Sequence, residues 1–60
     1  MTCDEYRANL KALGLTPQRP SYAGATIHSD RDGLMYSIPD PEELHEEERT
    51  AFLEELGKRV

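Results

Sequence analysis

Several side chains in this sequence are of types that carry out chemistry, and their spacing decides which of them can act together. Asp30 and Asp32 followed by Gly33 have the look of an opening calcium loop. Placing Gly33 at the glycine position of such a loop puts His28 where the first ligand belongs and Pro39 where the bidentate acid belongs. The four residues Asp30–Gly33 therefore read as a turn, for which Asp and Gly are the ordinary formers. Cys3, His28 and His45 lie far apart, with no metal-ligand spacing and no partner for an internal disulfide. Cys3 falls on an apolar helical stripe, where a thiol is inert. Ser21 or Ser29 with His28 and an aspartate has the composition of a hydrolytic triad without its spacing. The sequence thus yields no catalytic set, no metal ligands and no cofactor motif.

Residues suited to binding are better represented. A histidine on the open face of a sheet, as His28 is expected to be, can act as a general acid or base. Arg7 and Lys11 stand one helical turn apart and suit a phosphate, or simply solvate their helix. Glu46, Glu47 and Glu48 form an acidic run that reads as a solvated helix face or as a surface for a basic partner. The whole chain has 12 acidic and 7 basic residues, for a net charge of −5. Up to Pro39 the two signs balance at four each, so the excess belongs to residues 40–60, with eight acids and three bases. Repulsion from phosphate argues against a nucleic-acid contact through that segment.

These side chains need elements to position them. Thr2 and Glu5 match a capping box, Cys3, Tyr6, Leu10 and Leu13 make one helical stripe, and Gly14 with Leu15 supplies a stop. A helix is expected over 3–13. Pro17 and Pro20 remove two backbone donors, which restricts any strand there to an edge, expected near 19–22. Alternating apolar residues then predict a hairpin with strands 25–29 and 34–38 around Asp30–Gly33. With all four of those residues in the loop, Ser29 faces Leu34, Ile27 faces Tyr36 and Ala25 faces Ile38. That register puts the aliphatic residues inside and leaves His28 and Met35 opposite each other on the outer face.

Pro39-Asp40-Pro41-Glu42-Glu43 ends the strand and starts a helical segment, 41–56, with Asp40 placed to cap and Pro41 at the first helical position. The pattern leaves open one helix from Pro41 or a turn followed by a helix from about Glu46. The order α-β-β-β-α predicts a two-layer α+β domain spanning 1–60, with both helices on one face of a three-stranded antiparallel sheet. Its expected core is Tyr6, Leu10, Leu13, Leu15, Ala25, Ile27, Tyr36, Ile38, Leu44, Phe52, Leu53 and Leu56. A domain this short buries only roughly 60% of its unfolded surface, so its stability is expected to be marginal or assisted by a dimer.

The run Tyr36-Ser37-Ile38-Pro39-Asp40-Pro41, together with the element order and size, resembles the HicA-type toxin family. The resemblance implies a double-stranded-RNA-binding-like fold and the class of small ribonucleases. The family's Gly-Ser-His motif is matched by Ser21-Tyr22-Ala23-Gly24-Ala25-Thr26, which has no histidine, so no catalytic residue carries over.

Two functional expectations follow. The first is a cytoplasmic, non-enzymatic protein-interaction or regulatory domain that binds another, basic protein through Glu46, Glu47 and Glu48, or a second copy of itself through the outer sheet face or the helix stripe. The alternative is an RNA-binding or RNA-cleaving module using Arg7, Lys11, Arg19, Arg31 and His28. No membrane span is expected, because no run approaches the roughly 20 apolar residues that one needs.

Overall fold

A computed structural model describes residues 1–60 and has the two-layer architecture expected from the sequence. Helix α1 (Cys3–Ala12) is followed by strands β1 (Thr16–Pro20), β2 (Ala25–Ser29) and β3 (Met35–Pro39), a 3₁₀ turn (Pro41–Glu43) and helix α2 (Glu46–Gly57). The strands form one antiparallel sheet in the order β1-β2-β3. No helix is long and apolar enough to cross a membrane.

Local chemistry accounts for the ends of α1. Thr2 Oγ1 accepts the Glu5 amide at 3.1 Å and Glu5 Oε1 accepts the Thr2 amide at 2.7 Å, which satisfies two otherwise orphaned donors. Those contacts hold the Glu5 carboxyl below its ordinary range. At the other end the Leu15 amide reaches back to the Leu10 carbonyl and the Gly14 amide to the Lys11 carbonyl, a Schellman stop. Leu15 is thereby turned into the core, 2% exposed.

The strands depart from expectation in two ways. β1 begins at Thr16 and ends at Pro20 rather than covering 19–22, and a bulge lies between Pro17 and Arg19. Of more consequence, the second hairpin is shifted by one residue. The Asp30 amide bonds the Leu34 carbonyl at 3.0 Å, so Asp30 belongs to the ladder and the loop is Arg31-Asp32-Gly33. Asp30 Oδ1 accepts the amides of Asp32 and Leu34, both at 2.9 Å, and Gly33 takes φ +86°. This is the three-residue connection that needs a left-handed residue last. A side-chain hydrogen-bond network on the backbone therefore outweighs the hydrophobic alternation in setting the register.

Because side chains alternate, a shift of one residue exchanges the faces of β2 relative to β3. His28 is paired with Tyr36 and Thr26 with Ile38, on the helix-covered side; Ile27 lies opposite Ser37 and Ser29 opposite Met35 on the outer side. His28 is 8% exposed, not a surface residue opposite Met35. Ile27 is half-buried on the outer face and leaves the expected core.

The core that results is Tyr6, Leu10, Leu15, Ile38, Leu53 and Leu56, with Met1, Leu13, Tyr36, Leu44 and Phe52 packed around it. Ala25 is buried outside this cluster. The rings of Tyr6 and Phe52 lie 6.4 Å apart at 33°, joining the two helices. Cys3 is half-buried and takes no part in this cluster, in place of the buried position expected for it.

The C-terminal helical segment is divided. Leu44 is extended at φ −117°, ψ 145°, and α2 starts after His45, whose amide is accepted by Glu48 Oε1 at 2.7 Å. Asp40 makes no side-chain cap; its carboxylate accepts a hydrogen bond from Thr26 instead. Arg49 ties the break together, its Nε donating to the Pro41 carbonyl at 2.8 Å and its Nη1 to the Met1 carbonyl at 3.0 Å.

Candidate functional site

The helix layer leaves β1 bare: every residue of Thr16–Pro20 is exposed. Between α1 and this uncovered half of the sheet lies a groove of about 640 Å³. Tyr6, Arg7, Leu10 and Lys11 form its wall, since their spacing places them on one face of α1. Leu15, Pro17, Thr26 and His28 form the floor, and Pro39 to Glu42 close one end.

His28 is held there by strand alternation and by its neighbour Pro17, which pairs with it across β1 and β2. Its Nδ1 lies 3.2 Å from the Thr26 carbonyl oxygen. A neutral ring donating from Nδ1 leaves a lone pair on Nε2. Nε2 has no hydrogen-bond partner within the protein, and His28 lines the groove. The imidazole can accept a hydrogen bond there, or donate one once protonated.

The remaining polar groups are largely committed to one another. Thr26 Oγ1 donates to Asp40 Oδ1 at 2.7 Å, and the Tyr6 hydroxyl donates to the Pro39 carbonyl at 2.8 Å. Tyr6 is fully buried, and burial, reinforced by the charge of Asp40, pushes its phenol up to about 12. Arg7 Nη2 contacts Glu42 Oε2 at 2.6 Å. This bond raises the guanidinium and holds the Glu42 carboxyl below its ordinary range. Lys11 is exposed and makes no ion pair, so it is the groove's uncommitted cation.

Of the residues singled out by sequence, His28, Arg7 and Lys11 come together in this groove. Glu46, Glu47 and Glu48 do not; they occupy the first turn of α2. Glu46 lies 3.8 Å from the N-terminal ammonium, Glu48 caps its helix, and Glu47 is exposed without a partner. Arg19 lies across from Ile27 on the outer side of the sheet, and Arg31 sits in the loop of the second hairpin. No three of the His, Cys, Asp and Glu side chains converge as metal ligands do.

Sequence reasoning placed Tyr6 in the core without assigning it to a groove, and it missed Thr26 and Asp40 as partners. The signal for Thr26 was present, since a residue two before His28 shares its face of a strand. The register hid its meaning. Comparison with known protein families, with characterised proteins and with solved structures gives no match.

Proposed function

We propose that this chain is a small non-enzymatic protein-interaction domain that seats a segment of a partner protein in the groove between α1 and the β1–β2 half of the sheet. The observation that carries this reading is the groove itself. It has an apolar lining of Leu10, Leu15 and Pro17 and one imidazole nitrogen on His28 without a partner in the chain, the combination of apolar contact and few convergent polar groups that recognition sites use. The acidic half of the chain supports a basic partner. Arg7 is neutralised by Glu42, Lys58 by Glu55, and Arg49 is spent on backbone carbonyls, whereas Glu46, Glu47 and Glu48 are exposed. Such a field accelerates encounter with a positively charged protein.

The test uses the partner retrieved by the immobilised chain. A Glu46→Gln, Glu47→Gln, Glu48→Gln triple variant is expected to slow association about tenfold at low salt, leaving dissociation nearly unchanged. His28→Ala is expected to speed dissociation instead. Unchanged kinetics in both variants would refute the reading.

A second reading is favoured by one specific placement, that of Arg7 and Lys11 on the rim of the groove that holds His28. It is an RNA-binding or RNA-cleaving module that also uses Arg19 and Arg31. Amide shifts on adding a short RNA duplex would then cluster on Arg7, Lys11 and the sheet, with affinity falling steeply as salt rises. Full cleavage by a His28→Ala variant would remove the catalytic part.

A further inference from the structure

The two edges of the sheet differ. β1 carries Pro17, Pro20 and a bulge, each of which blocks pairing with another strand. β3 has no bulge, no charged residue from Leu34 to Pro39, and no proline before its last position. Leu34 and Met35 at its start are 61% and 57% exposed.

The backbone of β3 specifies which groups are free. The Asp30 amide bonds Leu34 and the Asp40 amide bonds Gly24, so the hydrogen-bonded pairs along the β2–β3 ladder include Thr26 with Ile38 and His28 with Tyr36. Met35, Ser37 and Pro39 consequently point their backbone groups away from the sheet. Pro39 has no N–H, and its carbonyl already accepts the Tyr6 hydroxyl. What remains is a matched set: the N–H and C=O of Met35 and of Ser37.

From this pattern we infer that β3 pairs antiparallel with β3 of a second copy of this chain, with the twofold axis at Tyr36. In that register Met35 of each copy exchanges two hydrogen bonds with Ser37 of the other, four in all, and every free edge group of those residues is used. The exposed Leu34 lies opposite the backbone of Ile38 of the other copy on the helix side, and the Tyr36 rings meet across the axis. An axis at Ser37 is worse on two counts, because it requires the occupied Pro39 carbonyl and sets Leu34 against Asp40. The occupant is a second copy because the patch is self-complementary in charge. The groove of about 250 Å³ between β3 and α2 has Glu55 and Arg59 as its charged lining residues, one of each sign. Elsewhere two copies that each carry −5 repel.

The experiment is sedimentation equilibrium from about 20 μM to about 1 mM, with amide hydrogen exchange followed by NMR at both ends of the range. The expected result is a weak dimer, since four hydrogen bonds and a few side chains make a small interface. Its amides at Met35 and Ser37 become protected as concentration rises. Dimerisation strengthens with salt, which screens the repulsion between acidic copies, whereas capture of a basic partner in the groove weakens with salt. Ser37→Pro deletes two of the four bonds and is expected to weaken the dimer about tenfold or more. Met35→Lys, at an exposed position that perturbs the fold less, is expected to act in the same direction. A chain that stays monomeric at about 1 mM overturns the inference, as does a dimer in which the Met35 and Ser37 amides exchange no more slowly than at low concentration.

Discussion

Replacing Tyr6 by phenylalanine removes one oxygen from the wall of the groove and leaves the ring in its contact with Phe52. At neutral pH the cost is that of one hydrogen bond, because the Pro39 carbonyl loses its phenol donor, about 1 kcal/mol. Alkaline pH reverses the order of stabilities. The Tyr6 phenol is fully buried and titrates at about 12, against 10.0 when unperturbed. Between those values the unfolded chain gives up the proton and the folded chain keeps it. The stability of the native protein is therefore complete below pH 10 and falls as pH rises towards 12. Two units correspond to about 2–3 kcal/mol, against a total of about 3–9 kcal/mol for a chain of this size. The phenylalanine variant lacks this loss, so its stability curve crosses that of the native chain at about pH 10.5–11. Urea unfolding followed by circular dichroism at intervals from pH 7 to pH 12 measures the crossing. A slope of about 1 kcal/mol per molar urea turns the neutral-pH difference into a midpoint shift of about 1 M. A Tyr36→Phe variant supplies the background, since the Tyr36 hydroxyl, bonded to Asp30, is also pushed up. Curves that run parallel between pH 10 and pH 12 would show that the Tyr6 hydroxyl ionises equally in both states, and would refute its burial against Pro39.

The Asp30 carboxylate accepts the Tyr36 hydroxyl at 2.8 Å and the amides of Asp32 and Leu34, which hold it below the ordinary carboxylate range. Its contribution to the hairpin is thus present above the unfolded value and lost as pH falls through the folded one; an Asp30→Asn variant should show a flatter acid limb in the amide exchange of residues 29–36. Arg49→Met keeps the unbranched apolar stem of the side chain and removes both bonds to the Pro41 and Met1 carbonyls, at an expected cost of about 2–3 kcal/mol. Its thermal unfolding midpoint should fall by about 10 °C or more, and a drop of only a degree or two would show that α2 docks without this residue.

What was legible in the sequence was whatever a few neighbouring residues decide. The capping box of Thr2 and Glu5, the stop at Gly14 and Leu15, and the proline-limited edge strand are local events, governed by backbone donors and acceptors within one turn. Element order followed from the periods of the apolar residues, and two helices with three strands admit few ways of burying one apolar face. The acidic excess of residues 40–60 is likewise a property of the sequence alone.

The register of β2 against β3 belonged to a different class of decision. Both a three-residue and a four-residue loop leave alternating apolar residues on some face, and they differ in which face His28 shares. The choice fell to Asp30, whose carboxylate bonds the amides of Asp32 and Leu34 and the hydroxyl of Tyr36 across the ladder. A one-residue difference at that loop moved His28 from the outer surface to the floor of a groove beside Thr26, Arg7 and Lys11. By itself the sequence determined the order of the elements, the ends of α1 and where the charge lies, since these depend on contacts between near neighbours. Which residues share the groove was decided only in the tertiary structure, because that depends on competition between hydrogen bonds and side-chain burial among residues far apart in the chain.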